Sequence, residues 1–181
     1  MNSIQISLTA KNYADALVQM GRDGVMAFDD ILKNIDSVRE ICKTSKDLSD
    51  VLKNPTISDD VKYSIIDEVF KQDINEKIID FIKVLIEKKR FGELDGICEA
   101  YRDELDKINN LQRVSVTSAV ELNGDMKQRI IDKLQNRLSK TVTAEWLIDR
   151  EIIGGLVVKI NDDVIDSSLK NKLENLSKNL I

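Results

Sequence analysis

The apolar residues of this chain change their period once. From Ala10 to Ile108 they recur at helical spacing, and after Asn109-Asn110 the next run alternates residue by residue. A period near 3.6 puts the apolar residues on one side of a helix, whereas a period of 2 puts them on one face of a strand. The switch therefore predicts a mainly α chain in two parts. A six-helix bundle is expected over residues 1–108 and a small α/β domain over 111–181.

In the first part, Ala10, Tyr13, Ala14, Leu17 and Val18 make one stripe, with Gly21 and Gly24 read as helping to end that helix. Phe28, Ile31, Leu32, Ile35, Val38 and Cys42 form the buried face of the second. Leu48, Val51 and Leu52 mark a short third helix that must stop before Pro55, the single proline. Ser58 is expected to cap the fourth, with Asp59 and Asp60 in its first turn and Val61, Ile65, Ile66, Val69 and Phe70 facing inward. Asn75 starts the fifth. There Ile78, Ile79, Phe81, Ile82, Val84, Leu85 and Ile86 cover more than one side, so this helix is either central or offers a face to a partner. Leu94, Ile97, Cys98, Tyr101, Leu105 and Ile108 give an ordinary amphipathic sixth helix.

In the second part, Val114, Val116, Ser118 and Val120 share one face of a predicted strand. Asn123 caps a helix whose inner residues are read as Met126, Ile130, Leu134 and Leu138. A strand over Thr141 to Asp149 follows, with Val142, Ala144, Trp146 and Ile148 on one face and Trp146 read as packing. Gly154-Gly155 then precedes a short apolar strand, Leu156 to Ile160, and Asn161-Asp162-Asp163 supplies turn chemistry. Asp166, Ser167 and Ser168 are candidate caps for a last helix carrying Leu169, Leu173, Leu176 and Leu180. The first three leucines are expected to pack inward.

Several function classes are excluded. A net charge of -5 argues against a nucleic-acid partner, because phosphate binding needs a concentrated basic surface. Lys88-Lys89-Arg90 is too short for one and suits a helix C-terminus. The chain has no histidine, which removes the commonest metal ligand and general base. Cys42 and Cys98 fall on apolar helix faces and read as small core hydrophobes. Gly154-Gly155 lacks the remaining glycines of a dinucleotide loop, and there is no Walker sequence. Asp162, Asp163 and Asp166 lack the spacing and terminal Glu of a calcium loop. No catalytic, cofactor or metal residues are assigned. No apolar run approaches the ~20 residues that span a bilayer, and Met1 to Ala10 has no signal-peptide pattern, so a membrane would be reached only through a partner.

The stretch Ile152 to Leu180 resembles the C-terminal signature of the delta subunits of F-type ATP synthases, called the oligomycin-sensitivity-conferring protein in mitochondria. The residues that carry the likeness are Gly154, Gly155, the strand, Asp162 in the turn, Val164-Ile165-Asp166, Ser168 and the spaced leucines. Ser167 stands where the family commonly has Gly. Weaker matches precede it in order: Tyr13-Ala14-Asp15-Ala16-Leu17, Leu52-Lys53-Asn54-Pro55 with Ile57-Ser58, and Leu85 to Arg90 leading to Tyr101.

The resemblance implies a stator subunit with no chemistry of its own. Its helical part would bind the N-termini of alpha subunits in the catalytic head through Tyr13, Ala16, Leu17, Lys83 and Val84. Its α/β part would bind the b subunits of the peripheral stalk, with Leu180 a possible contact. Gly154, Gly155, Asp162, Asp166 and Ser168 would be structural. It would sit at the cytoplasmic face of the cell membrane as a peripheral part of the complex. The alternative is a free-standing helical adaptor.

Overall fold

The computed structural model describes residues 6–161 and 163–178, with 174–178 given by backbone alone. Eight α-helices and one four-stranded mixed sheet lie among them, so the chain is mainly helical. It divides into two units, residues 1–105 and 106–181. Arg113 on the first strand pairs with Asp106, in the last turn of the preceding helix, at 2.7 Å.

Ser7 opens the first unit. Its hydroxyl oxygen accepts from the Ala10 N–H at 3.0 Å and its hydroxyl donates to Glu93 at 2.7 Å, so one side chain caps α1 (Leu8–Arg22) and anchors it to a distant turn. Ala10, Ala14, Leu17 and Val18 face inward. Gly21 does not end α1. It lies within the helix because the Phe28 ring of α2 (Phe28–Thr44) occupies the space a Cβ would need, and Gly24, at φ 71°, makes the turn. α2 buries Ile31, Ile35, Val38 and Cys42 as the periodicity predicts. α3 (Lys46–Lys53) follows, capped by Ser45, and stops before Pro55.

α4 (Asp59–Phe70) departs from expectation. Ser58 stands at its N-cap without a side-chain cap bond, and the inward positions are Lys62, Ile66 and Phe70. Val61 and Val69 are exposed. Ile65 is half-buried. The stripe is rotated because Lys62 spends its aliphatic stem on the interior, which apolar counting cannot see. α5 (Glu76–Glu87) begins at Asn75, whose side chain accepts from the Lys77 N–H, and buries Ile78, Ile79, Ile82, Leu85 and Ile86. A 3-10 turn at Phe91–Glu93 leads into α6 (Leu94–Ile108). Tyr101 is fully buried, and its hydroxyl donates to the Phe28 carbonyl at 3.2 Å.

In the second unit, β1 (Leu111–Ser118) runs parallel to β2 (Thr141–Ile148), joined through α7 (Gly124–Leu138). β3 (Leu156–Ile160) pairs antiparallel with β1 and β4 (Asp163–Asp166) with β3, giving the order β2-β1-β3-β4. Val114, Val116, Val142 and Val158 meet Leu134 in a small core that Trp146 partly covers. Val120 and Met126, read as inward, are exposed. β1 has already ended when the chain reaches Val120, and Met126 stands in the first turn of α7. Ile148 is likewise exposed at the end of β2.

Both cysteines are free and buried. Burial raises the Cys42 thiol to about 11 and the Cys98 thiol to about 12. A folded pKa above the unfolded value of 9.0 favours the fold below pH 9 and withdraws that contribution as pH rises toward 12. The native protein at pH 8 should therefore resist Ellman's reagent, whereas guanidinium-unfolded protein should titrate both thiols at once. Rapid native reaction of either would contradict this packing.

Candidate partner-binding surfaces

The residues expected to receive a partner helix separate into two groups. Leu17 is 0% exposed and belongs to the interior, so it supports the surface from beneath and cannot be part of it. Leu17 falls there because it continues the i, i+3, i+4 stripe of Ala10 and Ala14. Ala16, one position earlier, points to solvent. Tyr13 is half-buried and meets Phe81 of α5 edge to face, with ring centroids 6.1 Å apart and planes at 80°. This aromatic pair forms the floor between α1 and α5.

Val84 stands 43% exposed on the other wall, one turn beyond Asp80 and away from the buried Ile82 and Leu85. Exposed Val84 on α5 and exposed Ala16 on α1 are small apolar positions of the kind another helix covers closely. Lys83 is partly buried, and its ammonium lies 2.7 Å from Asp67 and 5.9 Å from the Tyr63 ring centroid. α4 thus holds Lys83 over its own side of the seam. Tyr63 and Asp67 were not legible as part of the site, although their i, i+4 spacing places both on the flank of α4 that meets α5.

The C-terminal segment is built by its turns. Ile152 and the 3-10 turn at Arg150–Ile152 precede Ile153, which takes φ 65°, and Gly155, at φ 86°. A Cβ at Gly155 would lie 2.5 Å from the Ser167 carbonyl oxygen, so no other residue fits without moving the β4 exit. The Ser167 N–H donates to the Leu156 carbonyl at 2.9 Å, and the Leu169 N–H donates to the Gly154 carbonyl at 2.9 Å. Asp166 accepts from the Ser168 N–H at 2.8 Å. Those bonds from Ser168 hold its carboxyl below the ordinary 3.8. Ser168, almost wholly buried, caps α8 (Leu169–Lys178) by accepting from the Asn171 N–H at 3.1 Å. Asn161 takes φ 52° at the β3–β4 turn, as Asn tolerates. Asp162 and Leu180 lie outside the described residues.

Leu169 and Leu173, expected to pack inward, are 47% and 58% exposed. α8 packs on the Arg150–Ile152 turn, and these two leucines stay open. The side chain of Leu176 lies outside the description. No described helix is long and apolar enough to cross a membrane. Among the described residues no group of three or more His, Cys, Asp or Glu is arranged to hold a metal.

Comparison with known proteins shows the family. The family model described as ATP synthase delta (OSCP) subunit matches residues 9–180. The chain belongs to that family. An ATP synthase subunit delta from Chlorobium limicola is 34% identical over 174 residues, covering 96% of each chain. One from Clostridium botulinum is also 34% identical, covering 94% of this chain and 95% of the relative. The fold is similar to a chain in a Toxoplasma gondii mitochondrial ATP synthase hexamer, with a TM-score of 0.67 at 16% identity over 96% of this chain and 98% of that one. Delta subunits of this family are structural and non-catalytic, of the stator type, in ATP synthase.

Gly155→Ala tests the turn geometry. Strain at a positive φ together with the clash should cost the second unit about 1–3 kcal/mol, read as lost amide-exchange protection in β3 and β4 with α1 to α5 unaffected. Unchanged protection would disprove the constraint.

Proposed function

We propose that this chain is the stator link of an F-type ATP synthase: a six-helix bundle in its first part holds the catalytic head, and its α/β part holds the peripheral stalk. The observation that carries the head contact is the seam between α1 and α5, floored by Tyr13 and Phe81 and walled by exposed Ala16 and Val84. An amphipathic helix from an alpha subunit N-terminus suits it, since small and β-branched walls admit close approach while Tyr13 offers a polar tip. Lys83, fixed by Asp67, sits where it could orient an acidic residue of that helix.

The b subunits of the stalk are assigned to the second part, where Leu169 and Leu173 leave an apolar side of α8 open, and Leu180 is assigned to the same contact. Gly154, Gly155, Asp166 and Ser168 serve that side by fixing where α8 begins. The role is mechanical. Joining head to stalk prevents the head from turning with the rotor, so ion-driven rotation is converted into work at the catalytic sites. The protein then lies peripherally at the cytoplasmic face of the membrane, held by its partners.

The full chain should co-purify with ATP synthase heads and lose that association when the alpha N-terminus is removed. Because Ala16 and Val84 are exposed, Ala16→Glu and Val84→Glu should fold normally yet weaken head binding by roughly tenfold or more. Heads that bind both variants as tightly as the parent would sink the assignment of this seam. Membranes stripped of the protein should lose coupled ATP synthesis while detached heads keep hydrolysing ATP.

A further inference from the structure

The turn that leads into β3 is strained at a residue from which the fold itself gains little. The Gly154 N–H donates to the Ile152 carbonyl at 2.7 Å, and Ile153 between them takes φ 65° and ψ -43°. That bond and those angles make a γ-turn of the positive-φ hand, the rare and strained one. The strain is greatest for a β-branched residue, whose Cβ crowds the backbone at positive φ. Glycine accepts such angles at little cost, as Gly24 and Gly155 do elsewhere in this chain. Packing does not offset the strain at Ile153, because its side chain is 63% exposed.

The same turn is fastened to the start of α8. The Leu169 N–H donates to the Gly154 carbonyl, and a Cβ on Gly154 would lie 3.0 Å from Leu169 Cδ1, so the Leu169 side chain rests on the residue next to Ile153. Leu173 follows one helical turn later and is also open to water. Lys170 and Lys172, both exposed, border that leucine pair on its two sides. Asp166, the acid close to Lys170, is committed to the Ser168 N–H, while Arg150 and Glu151 in the preceding turn balance each other in charge. The open apolar positions therefore lie within a basic border, which suits a helix whose apolar stripe is edged by carboxylates.

We propose that the γ-turn holds Ile153 out as an anchor of the stalk contact, together with Leu169 and Leu173, and that the helix received there is amphipathic with acidic flanks. The inference rests on the stator reading, in which a b subunit supplies that helix. Backbone strain is kept at Ile153 because the side chain is desolvated only when the partner is bound, and a fixed turn presents it without further ordering. The competing account gives Ile153 no role outside its own fold, and it predicts that glycine at this position leaves binding unchanged.

The test titrates the full-length chain with isolated b-subunit stalk by calorimetry and follows thermal unfolding of the second unit through Trp146, the single tryptophan. Ile153→Gly should move the two readouts in opposite directions: the unfolding midpoint rises by about 2–6 °C as strain is relieved, while stalk affinity falls by about tenfold or more. Ile153→Val keeps both the branching and the strain, so its midpoint should match the parent and its affinity should fall less than about fivefold. Lys170→Glu with Lys172→Glu should weaken binding and remove most of the salt dependence that the parent shows. The anchor is overturned if Ile153→Gly binds as tightly as the parent or unfolds at a lower temperature, and the acidic flanks are overturned if the double lysine variant binds unchanged. A parent chain that fails to bind the stalk sinks the stator reading itself, a result distinct from a parent that binds and variants that bind equally well.

Discussion

The burial of α5 is the constraint on which the helical unit depends. Ile78, Ile79, Ile82, Leu85 and Ile86 are all removed from water, a broad stripe along one side of a twelve-residue helix. Each such side chain contributes about 1.5–3 kcal/mol when fully buried, so this short helix carries a large share of the unit's core. A helix held this firmly leaves its remaining exposed positions in fixed places. Half-buried Phe81 and exposed Val84 are presented as parts of a rigid rod. The seam with α1 is an edge of that one helix.

Charge acts on a different contact. Between α2 and α6, Arg39 pairs with Glu99 at 2.6 Å and Arg102 with Asp36 at 2.6 Å, closing a four-residue network as Arg39 also approaches Asp36 at 3.3 Å. Isolated surface pairs contribute little, but mutually hydrogen-bonded guanidinium and carboxylate groups fix register. The Tyr101 hydroxyl on the Phe28 carbonyl sets the same two helices from inside, so α2 and α6 are aligned on both sides of their contact.

Sequence periodicity was a good guide where burial is one-sided and carried by apolar side chains. α1, α2 and α5 show it: their stripes, and Asn75 and Asn123 as caps, are legible because a single physical demand selects each residue. It failed where one side chain serves two ends. Lys62 buries its stem and keeps its charge, and it rotates α4 so that Val61 and Val69, plausible core residues on paper, face water. Gly21 misled for a related reason, since the ring that excludes a Cβ there comes from the next helix. At the proposed seam, the motif around Tyr13 could not separate Ala16 from Leu17, adjacent residues of which one is exposed and the other buried. The leucines of α8 were misread because periodicity states that a helix has an apolar side and not whether this chain itself covers it.

The order of the sheet has a consequence for how the second unit can be gripped. β4 is an edge of only four residues, bounded by Asp163 and Asp166, and Asp166 is committed to the cap that starts α8. An edge so short, with a carboxylate at each end, is a poor template for another strand, which protects it from unwanted pairing between copies of the chain. On that margin, recognition by shared backbone ladders gives way to side-chain packing against a helix. Attachments of that kind can be loosened or tightened one residue at a time without disturbing the hydrogen-bonded frame behind them.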